Sequence, residues 1–258
     1  MHVLILGGTA EARRLAAVLA DDQRFRVTTS LAGRVTTPTV HAGEVRSGGF
    51  GGAEGLARWL RERGTDALVD ATHPFAEVIS RHAVRAAAAA KIPLLAVRRP
   101  GWVQGPGDDW RSVGSLDEAA ALLPELGTRI LLTIGRQGLP AFADLDELWF
   151  LIRSVDPPEP PMPRHAEVVL ARGPFTVQDE LALLRAHQVD VVVTRDSGGD
   201  ATAAKLVAAR TLGTPVVVIC RPPLPSGIPV VEDVAGAVEW LSRLLLAGRD
   251  PGGADTCP

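Results

Sequence analysis

Tyrosine is absent from the 258 residues. The Tyr-x-x-x-Lys pair with which short-chain dehydrogenases move a proton is therefore closed to this chain. Lysine is nearly absent too: of 27 basic side chains only Lys91 and Lys205 are lysines, so arginine is the default cation. The two cysteines, Cys220 and Cys257, stand far apart. That excludes a disulfide framework and a four-cysteine zinc site, and it suits a reducing, cytoplasmic location. No H-E-x-x-H, C-x-x-C or paired His/Asp spacing offers a metal site. Aromatic residues, at 4%, are too few to stack single-stranded nucleic acid, and a net charge of −3 gives no electrostatic reason to bind it. No apolar run approaches the roughly 20 residues of a membrane helix. The opening MHVLILGGTAEARRL lacks a basic n-region and breaks at Gly7-Gly8, unlike a signal peptide.

What is present is an ordinary globular balance, 46% apolar and 22% charged. The length fits one large domain or two of about 130 residues. Short apolar runs alternate with amphipathic ones. HVLIL, FRVTTSL, a short stretch near His41 to Arg46, DALVDA and PLLAVR read as strands, with helices between them. RILLTI, ELWFLI, AEVVLA, DVVVT and PVVVI repeat the pattern, again with helices at Gln178 to Ala186 and Ala201 to Leu212, and a closing helix at Val234 to Leu246. Strands apolar throughout and separated by helices predict parallel sheets covered on both faces. The segment RPGWVQGPGDDW has a hinge composition. The reading is two α/β domains with parallel sheets, residues 1–100 and 113–246, with a cleft between them and a disordered tail at 247–258.

Ligands of open α/β sheets bind beyond the carboxyl ends of the strands. At those ends this chain places Gly7-Gly8-Thr9 with Glu11; Gly33-Arg34; Asp70-Ala71-Thr72-His73-Pro74; Gly135-Arg136; Arg153-Ser154; Thr194-Arg195-Asp196-Ser197-Gly198-Gly199; and Arg221. GGTAEA is an imperfect dinucleotide fingerprint, with Thr9 in place of the middle glycine, and it reads either as a phosphate turn whose Thr9 hydroxyl donates to the anion or as a plain tight turn. No acid stands between Val27 and Val40, and Arg34 follows Gly33. If a dinucleotide binds, that favours NADP over NAD; the plain alternative is a solvated arginine. His73 is either a packed residue or a cleft-facing proton or hydrogen-bond donor. D-S-G-G echoes a serine-protease nucleophile, but a parallel-type strand precedes it and a helix follows, so an anion-cradling turn is the better reading. Lys205, expected about two turns into the next helix, is either a surface lysine or a ligand for a carboxylate or phosphate.

The ordered set GGTAEAR, LAGR, DATHPFA, TIGRQGL, Gly173-Pro174-Phe175, TRDSGG with Lys205, and ICRPP resembles the precorrin-6A reductase family of cobalamin biosynthesis, from residue 1 to about 246. The resemblance implies an NADPH-dependent reductase that adds hydride to one double bond of a tetrapyrrole, built of two Rossmann-like domains with the active site between them. On it, Gly7, Gly8, Thr9, Glu11, Arg34, Thr72, Gly135 and Arg136 serve the cofactor, Arg153, Thr194, Ser197, Gly198, Gly199 and Lys205 serve the substrate, and His73 stands at the reacting centre. Gln137 and Arg195 depart from the family's usual residues; Arg195 keeps the charge of a lysine with a different geometry. The partner implied is a small polycarboxylate, with no nucleic acid and no membrane. Two other functions fit the same features: a non-catalytic NADP-binding redox sensor, and a reductase of another polycarboxylate.

Overall fold

The computed structural model describes residues 1–33 and 42–247. Arg34 and the expected disordered tail from residue 248 onward lie outside the described residues. Along the chain run β1 (His2–Leu6), α1 (Ala10–Ala20), β2 (Arg26–Leu31), β3 (Glu44–Ser47), α2 (Gly52–Glu62), β4 (Ala67–Asp70), α3 (Glu77–Ala90) and β5 (Leu94–Val97). Then follow β6 (Trp110–Val113), α4 (Leu116–Leu126), β7 (Arg129–Thr133), a 3-10 helix (Arg136–Phe142), β8 (Trp149–Ser154), β9 (Ala166–Leu170), α5 (Val177–Ala186), β10 (Val191–Arg195), a 3-10 turn (Asp200–Thr202), α6 (Ala204–Leu212) and β11 (Val216–Ile219). The chain closes with β12 (Val230–Val231) and α7 (Val234–Ala247).

The strands form two six-stranded parallel sheets, ordered β12-β5-β4-β1-β2-β3 and β6-β11-β10-β7-β8-β9. Five consecutive strands of each sheet take the doubly-wound order 3-2-1-4-5. The sixth place is filled from elsewhere in the chain. β6, which precedes the second series, pairs with β11, and β12, which follows it, returns to pair with β5. Among the described residues the compact units are accordingly residues 1–99 with 223–247, and residues 100–222. This differs from the sequence boundaries at both ends. The supposed hinge is largely part of the second unit, where the Trp102 backbone N–H donates to Asp196 at 3.0 Å and its indole joins the apolar core. The closing helix belongs to the first unit.

Alternation within each strand explains why both faces need helices. In β1, Val3 and Ile5 pack with Leu15, Ala16 and Leu19 of α1 and with Ala237 and Leu241 of α7. Leu4 and Leu6, one residue out of phase, pack with Leu56 and Leu60 of α2 and Ala83 and Ala86 of α3. In the second unit, Leu131, Leu151, Val192, Val216 and Val218 meet Leu184 of α5 and Leu206 of α6. Among the described residues no helix is long and apolar enough to cross a membrane.

Because α7 covers one face of the first sheet, Leu241→Ala is expected to cost that unit about 2–5 kcal/mol by leaving a cavity. Hydrogen exchange resolved by segment checks this: protection should fall in β1, α1 and β4 and stay unchanged in β7 and β10.

Candidate functional site

In the first sheet the strand order reverses at β1, which pairs with β2 on one side and β4 on the other. Two turns leave the sheet there. Gly7 packs closely, since a Cβ on it would fall 2.9 Å from Thr29 Cγ2, while Gly8 (φ +115°) has nothing within 4 Å of where a Cβ would point. The turn therefore offers bare backbone at the start of α1, the arrangement that receives an anion. Thr9 caps α1: its Oγ1 accepts the Ala12 N–H at 3.1 Å and donates to the Ala71 carbonyl at 2.7 Å. The sequence offered this hydroxyl as a donor to phosphate; in this structure its donor is directed inward. The Thr9 proton instead ties the β1 turn to the β4 turn.

Thr72 is similarly committed. Its N–H and its hydroxyl both donate to Asp70 Oδ1, at 3.1 and 2.6 Å. Glu11 pairs with Arg99 at 2.7 Å and with Arg14 at 3.1 Å. Burial pushes the Glu11 pKa up, but its own backbone N–H and Arg99 outweigh this and hold it below the usual carboxylate range. Thr9, Glu11 and Thr72 thus brace the crevice with their side chains. His73 is half-buried; the Phe75 N–H donates to its Nδ1 at 3.3 Å, which leaves the proton of the neutral ring on Nε2.

The residue that organises these turns went unnoticed in the sequence. Arg98, just past β5 and buried, donates through Nη1 to the carbonyls of Asp70 and Val97, both at 3.0 Å. Its Nη2 donates to Asp70 Oδ2 at 2.7 Å and to Ser80 Oγ at 2.9 Å. Ser80 also donates to Asp70 Oδ2 at 2.6 Å. The signal was available: Asp70 closes an apolar strand and needs a cation, and Arg98 follows the neighbouring strand.

The second sheet reverses at β7, between β8 and β10. Gly135 and Gly199 stand just beyond β7 and in the loop after β10 with nearly the same backbone angles, φ +74° with ψ 159° and 157°. That region of conformational space is almost reserved for glycine. A cavity of about 230 Å³ opens here, lined by Thr133, Gly135, Arg153, Ser197, Thr202 and Lys205 among others. Arg153 is held at 2.6 Å by Glu180 of α5 and stacks over Phe175, its guanidinium carbon 4.0 Å from the ring centre. Lys205 is 4% exposed and lies in the first turn of α6, not two turns in, because the preceding residues form a 3-10 turn.

Other expected residues fall elsewhere. Thr194 lies inside β10, buried, and donates to the Arg195 carbonyl; it does not line the cavity. Gly198 is buried because a Cβ there would fall 2.1 Å from the Pro100 carbonyl oxygen. Gly199 offers its carbonyl to the Trp102 indole N–H at 3.1 Å. Gly135 and Arg136, grouped by sequence with the cofactor turn, belong to the second unit; Arg136 is exposed. Among the described residues no group of three or more His, Cys, Asp or Glu is placed to hold a metal ion.

A glycine turn on a capped helix in one unit and a cation-lined cavity in the other, each at the carboxyl ends of a parallel sheet, define a two-unit Rossmann-like α/β protein. The profile of the precorrin-6x reductase CbiJ/CobK family matches residues 2–242, and the chain belongs to that family. It is 58% identical over 243 residues to the precorrin-6A reductase of Rhodococcus erythropolis, covering 94% of this chain and 98% of the relative. The precorrin-6A reductase of Mycobacterium tuberculosis is 48% identical over 245 residues, with 94% and 98% covered. A solved structure, CobK precorrin-6A reductase, superposes with a TM-score of 0.88 at 43% identity, covering 95% of this chain and 97% of that one.

Removing the Arg98 guanidinium leaves the Asp70 carboxylate buried without its cation. Arg98→Ala is expected to cost about 3–5 kcal/mol, read as a lower denaturant midpoint for the first unit. A midpoint shift below the equivalent of ~1 kcal/mol would show that the pair does not hold these turns.

Proposed function

We propose that the protein reduces one macrocycle double bond of precorrin-6A, with NADPH as reductant, in cobalamin biosynthesis. One observation carries the division of labour. The glycine turn of the first unit opens a full α-helix, whereas β7 of the second unit leads only into a 3-10 helix. A pyrophosphate gains most from the aligned N–H groups and dipole of a full helix. The cofactor is therefore assigned to Gly7, Gly8 and the backbone of Thr9, with Arg34 on the 2′-phosphate. Glu11 and Thr72 support that turn from behind.

The substrate is assigned to the cavity of the second unit. A precorrin carries many acetate and propionate arms, and buried cations with fixed donors recognise carboxylates. Arg153, Ser197 and Lys205 line the cavity, and Gly135, moved here from the cofactor set, supplies backbone beside them. NADPH supplies the hydride when bound. The residues of the chain must hold the acceptor carbon at near-contact distance and deliver one proton to its neighbour. His73, whose Nδ1 accepts the Phe75 N–H, is assigned an orienting role at that centre. The location assigned is the cytoplasm, where two cysteines as far apart in sequence as Cys220 and Cys257 stay reduced.

Adding precorrin-6A to protein and NADPH is expected to oxidise the NADPH; binding without oxidation would favour the sensor instead. Arg34→Ala is expected to raise KM for NADPH about 10- to 100-fold, the worth of a charge-assisted contact, and to leave KM for NADH unchanged. Equal losses for both cofactors would move the 2′-phosphate elsewhere. His73→Ala should slow single-turnover hydride transfer; an unchanged rate removes His73 from the site.

A further inference from the structure

The cavity of the second unit holds two buried cations with unequal partners. Arg153 has a carboxylate, Glu180 Oε1 at 2.6 Å. Lys205 donates to a backbone carbonyl, that of Thr202 at 2.5 Å, and lies 4.8 Å from the centre of the Trp102 ring. No carboxylate is among the residues that line the cavity. The groups that face Lys205 are Arg153 from β8, Glu180 from α5, the Trp102 indole from the segment before β6, and the Thr202 carbonyl from the turn before α6. Glu180 spends one oxygen on Arg153, and its Oε2 is buried without a hydrogen bond. An ammonium so placed is expensive to keep charged until an anion arrives.

We propose that carboxylate capture in this cavity is coupled to proton uptake at Lys205, so that the arm enters and the amine is protonated as one event. This rests on the functional reading above, in which the cavity receives a carboxylate of the substrate. Burial first, and then the Arg153 guanidinium, pull the Lys205 pKa down, with Glu180 opposing, to about 7. The sign follows. Below that value the ammonium is already present and binding takes up no proton. Above it, each pH unit removes about a factor of ten from the charged form, while the substrate's carboxylates stay ionised throughout. A bound carboxylate raises the Lys205 pKa, so affinity is full below pH 7 and is lost as pH rises through it.

The composition makes the test clean, because the chain has only two lysines. Carbon-13 labelling of lysine Cε gives two signals, and Lys205→Met identifies the one from Lys205. That signal is expected to titrate with a midpoint near 7 in the ligand-free protein. At saturating NADPH, KM for precorrin-6A is expected to rise about tenfold between pH 6 and pH 8. Lys205→Met should give a raised KM with a flat profile, and Lys205→Arg a flat profile because its guanidinium does not titrate. Both variants retain His73 and the cofactor phosphate, so a pH dependence that came from either would survive in them. A Lys205 midpoint near 10, a flat wild-type profile, or a wild-type slope surviving in Lys205→Met overturns the coupling. Absence of turnover by the wild type at every pH overturns the functional reading, and this inference with it.

Discussion

A guanidinium and a carboxylate taken out of water hold the ligand edge of the first sheet. Arg98 and Asp70 are 7% and 1% exposed, and neither tolerates such burial alone. Together with Ser80 and Thr72 they satisfy both oxygens of the Asp70 carboxylate, Arg98 Nε being left without a partner. The Ala71 carbonyl in that turn then receives the Thr9 hydroxyl, which fixes the turn after β1. One buried ion pair thus sets two turns at the point where strand order reverses. The glycine backbone between them is presented to a ligand without side chains of its own.

The second unit handles charge in the opposite way. Glu180 compensates Arg153, but Lys205 is left with a carbonyl and an aromatic face. A scaffold pair such as Arg98–Asp70 is complete without a ligand. On the proposed reading Lys205 is a binding cation, incomplete until a ligand arrives, and its lowered pKa, set first by burial and then by Arg153, accords with that difference. On the proposed reading, the closed network belongs to the cofactor side and the open one to the macrocycle.

Much of the architecture was readable from the chain. The apolar strands alternating with helices announced two parallel sheets, and Gly, Ser, Thr and Arg at strand ends pointed to their carboxyl edges. The missed elements were those whose partners are remote. β12 has two residues, and β6 sits in a stretch rich in glycine, proline and aspartate. Neither carries a pattern that names its sheet, so the exchange of last strands was invisible and the domain boundaries shifted. The same limit applied within the site. That Gly135 and Lys205 line one cavity follows from a 3-10 turn that displaced the start of α6. Thr9 and Thr72 had the right chemistry for a ligand but spend it inside the protein, a choice that only their neighbours decide. Arg98 was overlooked because its role depends on Asp70, 28 residues away in sequence and on the adjacent strand.

The central claim is that the glycine turn of the first unit, not the cationic cavity of the second, receives the pyrophosphate. A crystal structure with NADP bound tests it most directly. The expected result is pyrophosphate density over Gly7, Gly8 and Thr9 at the start of α1, with the Arg98–Asp70 network unchanged. Pyrophosphate found instead against Gly135, Arg153 and Lys205 would contradict the account and exchange the roles of the two units.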